Sequence, residues 1–419
     1  MPTAELRYGH GVINVEFDDV IHQVLSSPAG PRPLSDFEIG ARLDSPIGTP
    51  RLEDLVSPGQ TVLFVVPDAT RRAGAGQVIN LLVRRLIANG SPPSDLSIIF
   101  ATGIHRKPTP EEQAEILTPF IAKRFRLIDH DARDLASLTR LGATNGGVPI
   151  ELNRALFEHD HVVLLGGVTF HYFAGFTGGR KLVCPGLASA RTISGTHKLA
   201  FDRDTLDRRR GVGTGLLDGN PVHDAFVEVV QRVDPAFAVS TNVDDEGAVV
   251  DVFCGQWVES HRAACDEFAE RHTVTIVEKR PLVLASCGGW PYDINMIQAH
   301  KALEAASHAC TEGGTIVLLA ECADGPGRDD FLDWFEAADS DALAAELCRR
   351  YQVNGQTAWN LLRKAERFNV RIVTELPDES CSKMRLKRIA PAEVPSMLDA
   401  AGPGYVMTSG AKVLIRTGS

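Results

Sequence analysis

The hydrophobic and polar positions along the chain predict an alternation of buried strands and amphipathic helices. Several continuous apolar runs of five or six residues are bounded by turn-forming or polar residues, which is typical of strands covered on both faces of a parallel sheet. These runs are residues 61–66, 96–101, 161–165 and 281–286. A helical pattern covers residues 77–89 and closes at Gly90, and Thr109-Pro110 begins another helix. Strand, loop and helix alternating at this spacing predict a layered α/β fold.

The rest of the chain extends this pattern into a second domain. A hairpin is expected near residues 5–17, and a helix over 257–272 precedes a new strand series. We predict two layered α/β domains that face a cleft, each with a mainly parallel sheet. The N-terminal domain is expected over residues 1–272, completed by 405–419, and the C-terminal domain over 280–395.

Composition and charge narrow the function classes. The chain has 419 residues, 44% hydrophobic and 23% charged, with a net charge of −11, which fits a soluble globular protein. The negative charge argues against a nucleic acid or an anionic membrane as partner. No membrane-length apolar segment or secretory leader is visible. Eight scattered cysteines without a C-x-x-C motif predict reduced thiols and a cytoplasmic location.

Polar side chains follow three of the predicted strands. They are Asp68 with Thr70 and Arg71, then His105, and then the segment from His171 to His197. In open α/β sheets, ligands bind beyond the carboxyl ends of the strands. The sequence therefore predicts that these groups approach one crevice.

The segment from His171 to His197 is the most unusual stretch of the chain. Its glycine cluster is followed by Arg180-Lys181, and such loops expose backbone N–H groups that bind anions. It is not a Walker loop, because Leu182 follows the lysine and offers no hydroxyl to magnesium. A surface turn with a solvated basic pair is the plainer alternative.

Two chemical interpretations fit these residues. In the first, His105, His171 and His197 hold a catalytic zinc. In the second, two histidines act as acid and base while Lys181 carries a cofactor covalently. Composition and spacing do not choose between them.

Several motifs resemble the nickel-pincer lactate racemase family over nearly the whole length. They are DATR at 68–71, TGIHR at 102–106, HYFAGFTGGRKLVCPGLAS at 171–189 with GTH at 195–197, GNPVH at 219–223, and GGWPYDINMIQAHKALEAA at 288–306. The central block, with its histidine, lysine and histidine ten and sixteen positions apart, is the most specific of these. The resemblance disfavours the zinc interpretation.

The resemblance implies a cofactor and its ligands. The cofactor would be the nickel-pincer nucleotide, nickel pyridinium-3,5-bisthiocarboxylic acid mononucleotide, attached covalently at Lys181. His197 would be the protein ligand of the metal. The cofactor-binding residues would be Asp68, Ala69, Thr70, Arg71, Lys181, Pro185 and His197.

The resemblance also implies a reaction, the inversion of C2 of a 2-hydroxy acid by reversible hydride transfer. His105 and His171 would be the catalytic acid/base pair. Arg71, Gln298 and Lys301 would bind the substrate carboxylate. The partners would be the small anionic substrate and, transiently, the enzymes that make the cofactor, and the oligomeric state cannot be read from the sequence.

The substrate remains open among several 2-hydroxy acids. The apolar Ile297 beside Gln298 favours a short aliphatic substrate such as lactate. A sugar-acid 2-epimerase and a malate-type racemase are alternatives within the family. A three-histidine zinc hydrolase and a non-catalytic anion-binding protein are alternatives of other classes.

Overall fold

The computed structural model describes residues 2–28, 30–328, 330–400 and 402–418. These residues form two compact units. The first unit comprises residues 30–200 and 210–268. The second comprises residues 2–28, 201–209 and the described part of 269–418.

The strands alternate with the helices along the chain, as the sequence predicts. The strands are β1 (Thr3–Tyr8), β2 (Gly11–Glu16), β3 (His22–Leu25), β4 (Val62–Pro67), β5 (Leu96–Ala101), β6 (Arg126–Ile128), β7 (Leu138–Ala143), β8 (Pro149–Asn153), β9 (His161–Gly167), β10 (Phe170–His171), β11 (Ala174–Phe176), β12 (Phe201–Asp202), β13 (Asp207–Arg208), β14 (Gly213–Thr214), β15 (Phe237–Val243), β16 (Val249–Gly255), β17 (Thr273–Ile276), β18 (Arg280–Ser286), β19 (Cys310–Leu319), β20 (Asn369–Val373), β21 (Lys387–Arg388), β22 (Gly404–Met407) and β23 (Leu414–Thr417).

The α-helices differ widely in length. They are α1 (Asp36–Leu43), α2 (Leu52–Leu55), α3 (Ala75–Ala88), α4 (Pro110–Leu117), α5 (Pro119–Arg124), α6 (Ala190–His197), α7 (Pro221–Val230), α8 (Trp257–His272), α9 (Met296–Ala309), α10 (Ser340–Arg349), α11 (Val353–Arg367), α12 (Asp378–Lys383) and α13 (Val394–Ala400). Among the described residues, no helix is long and apolar enough to cross a membrane.

The first unit is built on a six-stranded sheet in the order β16-β15-β9-β4-β5-β6. Its strands pair in parallel except for the antiparallel edge pair β15–β16. All six residues of β4, VLFVVP, are buried, as expected for a central strand with both faces covered. The apolar face of α3 joins the core of this sheet through Val78, Ile79, Leu82 and Leu86.

The second unit is built on another six-stranded sheet, in the order β21-β20-β19-β18-β22-β3. All of its strand pairs are parallel. Helices α9, α10 and α11 contribute to the core on one face, and residues of β1 and β2 contribute to a second core with the sheet. The predicted α/β class with mainly parallel sheets is therefore confirmed.

The division of the chain differs from the predicted domain boundaries. Residues 2–28 and 201–209 belong to the second unit, although both were expected in the N-terminal domain. The C-terminal segment was expected to complete the N-terminal domain, and this expectation is wrong. Strand β22 lies between β18 and β3 in the second unit's sheet, and β23 pairs with β17.

Candidate functional site

The carboxylate of Asp68 lies directly after β4 and holds His105. Asp68 is only 4% exposed. Its Oδ1 accepts hydrogen bonds from the backbone N–H and the hydroxyl of Thr70, at 3.0 and 2.6 Å. Its Oδ2 lies 2.7 Å from Nδ1 of His105. The ends of the adjacent strands β4 and β5 therefore supply a linked carboxylate and imidazole.

The ionisation of Asp68 follows from these contacts. Burial by itself raises the pKa of Asp68, but the hydrogen bond and charge of His105, the Thr70 hydroxyl and the charge of Arg71 outweigh burial and bring the pKa below its usual value. Because the carboxylate is ionised near neutral pH, Nδ1 of His105 carries the proton and donates it to the hydrogen bond. The other ring nitrogen, Nε2, is then the acceptor of a neutral His105.

The loop that carries His105 packs against the loop that carries Pro185. The N–H of Gly103 donates to the carbonyl of Gly186 at 2.8 Å. A Cβ added at Gly103 would lie 3.4 Å from the Pro185 carbonyl, and the φ of +56° at Gly103 also favours glycine. The structure thus brings the TGIHR motif next to the CPG motif.

His171 closes a short irregular sheet after β9. Strand β10 pairs with β11, so that His171 lies opposite Gly175. The backbone N–H of Ala174 donates to Nδ1 of His171 at 3.3 Å. Gly175 has a φ of +78°, and a Cβ there would meet the Leu216 carbonyl at 2.2 Å. This glycine therefore lets the backbone turn tightly behind His171.

Lys181 lies on a 3-10 turn, Gly179–Leu182. The backbone N–H of Lys181 donates to the carbonyl of Gly178 at 3.0 Å. Gly179 has a φ of +50°, and a Cβ there would lie 2.5 Å from the ring of His261. The glycine cluster is therefore required by close packing of the turn that presents the lysine.

The ring of Phe173 is surrounded by three of the predicted functional side chains. Its centroid lies 4.4 Å from the ring of His171, 5.0 Å from the ring of His197 and 5.6 Å from Nζ of Lys181. The ring of Phe226 lies near two of the same groups, 5.6 Å from His197 and 5.8 Å from Nζ of Lys181. His171, Lys181 and His197 therefore form one cluster around aromatic rings.

His197 is the last residue of α6. The Ser189 hydroxyl begins this helix by accepting from the N–H of Thr192 at 3.1 Å. Burial and the nearby charge of Lys181 lower the pKa of His197 to about 3, against a smaller opposing effect of the Ile193 carbonyl. His197 is therefore neutral near pH 7, which is the form of imidazole that binds metals.

The other residues predicted to bind the cofactor are only partly buried. The Arg71 N–H donates to the Asp68 carbonyl at 3.1 Å, which closes the DATR turn. Ala69, Thr70, Arg71 and Pro185 are all partly buried. Their predicted contacts to a cofactor stay predictions.

Gln298 and Lys301 lie in the second unit, one turn apart on α9. The side chain of Asn295 caps this helix by accepting from the Gln298 N–H at 3.0 Å. Nζ of Lys301 donates to Oε1 of Gln298 at 2.6 Å. The two residues therefore form a joined amide and ammonium pair, and their role toward a substrate stays a prediction.

The structure separates the basic pair that the sequence placed together. The side chain of Lys181 lies against Phe173 and Phe226, whereas that of Arg180 is fully buried near His261. Adjacent residues of a tight turn point in different directions, and the sequence pattern did not show which way each one points.

Two residues of the site were missed at the sequence level. The first is Phe173, which lies within the motif at 171–189 but was not assigned a place in the site. Asn220 donates through Nδ2 to the Phe173 carbonyl at 2.9 Å, while its Oδ1 accepts from the N–H groups of Val222 and His223 at the start of α7. An asparagine directly before Pro221 is a recognisable helix cap, but its bond to Phe173 is non-local.

The three histidines do not form a zinc site. Within the part of the chain that the structure describes, no group of three or more His, Cys, Asp or Glu side chains is arranged to hold a metal ion. The three-histidine zinc interpretation therefore has no support in the structure.

The fold and the site together define a class of protein. It is a two-unit α/β protein with a carboxylate-held imidazole, a second imidazole, and a lysine amine beside a buried neutral imidazole. This set is suited to proton transfer next to a covalently held group.

Comparison with known proteins gives the family. The model of the lactate racemase N-terminal domain matches residues 8–207, and that of the lactate racemase C-terminal domain matches residues 277–401. The lactate racemase of Thermoanaerobacterium thermosaccharolyticum is 31% identical over 340 residues, which is 80% of this chain and 78% of the relative. The lactate racemase of Lactiplantibacillus plantarum is 30% identical over 335 residues, 79% of this chain and 77% of the relative.

Solved structures agree with this result. The lactate racemase apoprotein of T. thermosaccharolyticum superposes with a TM-score of 0.88 at 26% identity, covering 99% of this chain and 100% of that one. A Thermotoga maritima protein shares the fold, with a TM-score of 0.70 at 20% identity, over 94% of this chain and 100% of that one. The chain belongs to the lactate racemase family, which confirms the resemblance seen in its motifs, and it is an isomerase of the racemase type.

Proposed function

We propose that this racemase inverts C2 of a short 2-hydroxy acid such as lactate, with a nickel-pincer nucleotide attached to Lys181. The observation that carries the proposal is the arrangement of His171, Lys181 and His197 around the ring of Phe173. The names of the two relatives, both lactate racemases, support the choice of substrate.

The residues present fit such a cofactor. Lys181 offers an amine for a covalent link, and its Nζ lies by the same two aromatic rings as the neutral imidazole of His197. Since the described residues contain no three-ligand cluster, a metal here would need ligands from the cofactor itself. We assign Lys181 as the attachment point and His197 as the metal ligand. Asp68–Arg71 and Pro185 are the further cofactor contacts.

The cofactor would supply a hydride acceptor, which is chemistry that no side chain offers. The remaining tasks belong to the chain. It must hold the substrate carboxylate, and it must move the hydroxyl proton while C2 loses and regains hydrogen.

His105 is suited to take the hydroxyl proton. Its Nδ1–H is fixed on the ionised Asp68 at 2.7 Å, so the lone pair of a neutral ring lies on Nε2. When Nε2 accepts the proton, the adjacent carboxylate stabilises the imidazolium that forms. Its side chain is 46% exposed, and a ligand can therefore reach it.

His171 presents the complementary tautomer. Because the Ala174 N–H donates to Nδ1 at 3.3 Å, a neutral His171 carries its proton on Nε2. In this form it donates a hydrogen bond to a substrate oxygen. To act as an acid it must gain a second proton at Nδ1, so the long bond from Ala174 gives way in that step.

The substrate carboxylate needs cationic partners. We propose that Arg71, Gln298 and Lys301 provide them, since a charge-assisted hydrogen bond both orients and attracts a carboxylate. The amide of Gln298 already holds Nζ of Lys301, so this pair is preorganised.

The compartment and the partners are further proposals. All eight cysteines are unpaired in the structure, which is typical of a reducing compartment, and we assign the protein to the cytoplasm. Loading of the cofactor would require transient contact with the enzymes that make it.

The test is a racemisation screen of the full-length chain co-expressed with cofactor-making enzymes. Single enantiomers of lactate, malate and a sugar acid are incubated with the protein, and optical purity is followed by chiral chromatography. We expect lactate to lose optical purity fastest. Faster inversion of the sugar acid or of malate would assign the chain to the corresponding alternative, and no inversion of any 2-hydroxy acid would refute the proposal.

Intact-mass measurement tests the attachment separately. Wild-type protein should carry a mass increment and a visible absorbance, and Lys181→Ala should lose both. Lys198→Ala is the matched control, because it removes a lysine from the same segment and should keep the increment. Retention of the increment in Lys181→Ala would exclude attachment at this residue.

A further inference from the structure

A recess lies in the first unit beside the buried side chain of Arg180. It encloses about 270 Å³ when the part open to solvent is included, and its polar lining comes from Arg180, His223, His261 and Arg262. None of these residues has a part in the proposed reaction. Arg180 of the glycine-rich segment and His223 of the GNPVH motif thus meet two residues of α8 at a place that the proposed function does not use.

Arg180 carries a buried charge whose contacts are incomplete. The residue is 1% exposed. One terminal nitrogen donates to the Ala174 carbonyl at 2.7 Å, and the other lies 3.1 Å from Nε2 of His261. Its Nε has no hydrogen-bond partner among the described residues. Burial lowers the pKa of Arg180 only to about 10, so it stays charged at neutral pH.

The ring of His261 cannot form hydrogen bonds with both of the groups that contact its Nε2. Burial and the charge of Arg180 hold the pKa of His261 well below its usual value, so the ring is neutral. Its Nε2 lies 3.1 Å from the Arg180 guanidinium and 2.8 Å from the Thr177 carbonyl. A neutral ring nitrogen either accepts or donates, so one of these two contacts is always unsatisfied.

Of the other polar lining groups only Arg262 is charged near neutral pH, because burial lowers the pKa of His223 to about 3. Nδ1 of His223 is buried without a partner among the described residues. The guanidinium of Arg262 contacts the recess and pairs with the exposed carboxylate of Asp218 at 2.5 Å. The recess is therefore bounded by two guanidinium groups and two imidazoles, and its nearby carboxylate is already paired.

We propose that this recess binds a small monovalent anion of about the size of chloride. A buried charge is costly unless it is paired and hydrogen-bonded, and an anion here would lie beside the buried guanidinium of Arg180. Such an anion supplies the missing counter-charge within the first unit.

Bound anion would stabilise the turn that presents the lysine. Arg180 precedes Lys181 on the 3-10 turn, and the bond from Arg180 to the Ala174 carbonyl holds the strand next to His171. Filling the recess would therefore fix the segment between His171 and Lys181. The site does not depend on the cofactor or on the proposed reaction.

The probe is chloride, applied to the full-length chain without cofactor. Chloride replaces gluconate at constant ionic strength, while the ³⁵Cl line width and the melting temperature are followed. We expect saturable excess broadening and a rise in melting temperature of about 3 °C or more at saturation. Gluconate is the larger anion and the more strongly stabilising salt. A higher melting temperature in chloride than in gluconate therefore cannot be a general salt effect.

Three variants decide the location. Arg180→Met removes the buried charge, and Val227→Leu fills the recess while keeping every charge. Each should weaken chloride binding at least tenfold, and Val227→Leu preserves the test if Arg180→Met does not fold. Arg84→Gln removes an exposed charge elsewhere in the unit and should bind chloride as the wild type does.

Two results would overturn the proposal that the recess binds chloride. Absence of excess broadening in the wild type would overturn the proposal. Broadening of wild-type strength in Val227→Leu would also overturn it, because chloride would then bind elsewhere.

Discussion

Asp68 determines what His105 can do at the level of single residues. A carboxylate 2.7 Å from Nδ1 fixes both the tautomer and the orientation of the ring. The hydroxyl of Thr70 and the charge of Arg71 help to keep that carboxylate ionised. The DATR motif would therefore act on the proposed proton-transfer group, His105, as well as on the proposed cofactor.

We predict that Asp68→Asn lowers the racemisation rate by about 10²–10⁴-fold, within the range of one general acid–base contribution. The amide can donate to Nδ1 of His105, which would move the ring proton to Nε2 and block the base. The measurement is kcat for lactate in cofactor-loaded protein of unchanged intact mass. The control is Thr70→Val, which removes one bond to Oδ1 and should cost far less.

A fully active Asp68→Asn variant would contradict this role for Asp68. Loss of the cofactor mass from this variant would instead assign the residue mainly to cofactor binding.

The sequence predicted which residues belong to the site better than it predicted which residues they contact. His171, Lys181 and His197 were expected together, and they do surround Phe173. The bond between Asp68 and His105 spans 37 positions of sequence. Neither residue type nor spacing specifies such a pair, because two adjacent strand ends create it.

At the level of elements, α7 holds the aromatic part of the site. Its cap Asn220 bonds the Phe173 carbonyl, and its Phe226 contacts the ring of His197. Lys181 lies by both aromatic rings. One short helix therefore sets the position of the aromatic surface against which Lys181 and His197 lie.

We predict that Asn220→Ala lowers the free energy of unfolding by about 1–3 kcal/mol, because it removes a helix cap and leaves a buried carbonyl without a donor. Urea denaturation followed by circular dichroism measures the change. Asn220→Asp keeps the helix cap but removes the amide donor. Its decrease in the free energy of unfolding should therefore be smaller than that of Asn220→Ala, which removes both. Equal stability of the wild type and Asn220→Ala would contradict the assignment.

Helices α9 and α11 of the second unit are joined by a buried ion-pair network. Glu304 is nearly fully buried and pairs with Lys364, with Arg208 at 2.9 Å, and with the Asn360 amide at 3.0 Å. Although burial alone would raise the pKa of Glu304, Lys364 and Arg208 hold it well below its usual value. The segment 201–209 is thereby anchored to the helix that carries Lys301.

We predict that Glu304→Gln destabilises the protein by about 3–5 kcal/mol, because it leaves buried cations without their partner. Thermal denaturation of the wild type and the variant measures this. Glu312→Gln is the control, since Glu312 forms an exposed pair with Arg367 that is worth about 1 kcal/mol or less. A Glu304→Gln variant no less stable than that control would disprove the prediction.

The sequence predicted the strands more reliably than it predicted which strands pair with each other. The continuous apolar runs correctly identified β4, β5, β9 and β18. Strands β22 and β23 belong to the second unit, so the expectation that residues 405–419 complete the N-terminal domain was wrong. Strand signals are local, whereas the choice of partner in a parallel sheet depends on residues hundreds of positions away.

At the level of the whole molecule, buried neutral histidines couple stability to pH. Burial lowers the pKa of His130 to about 4 and that of His300 to about 3, and it holds that of His261 well below the usual value. The unfolded chain binds protons at these residues below about pH 6.5, whereas the folded chain does not. Stability is therefore lost as pH falls from about 6.5 toward 4.

We predict that the free energy of unfolding, measured by urea denaturation, falls between pH 6.5 and 5 by about 1 kcal/mol per buried histidine for each pH unit. Replacing His300 with Gln should make this slope shallower. A midpoint independent of pH across this range would rule out the coupling.

The parallel pairing of β3 with β22 governs the order in which the protein can be completed on the ribosome. Strand β3 is synthesised long before its neighbour in the sheet, since β3 ends at Leu25 and β22 begins at Gly404. The first unit has all of its residues by position 268, so it can fold while the second still lacks an interior strand. A nascent chain that has not yet reached β22 would therefore expose the edges of β3 and β18, which makes the synthesis of β22 the step that protects the second sheet from aggregation and proteolysis.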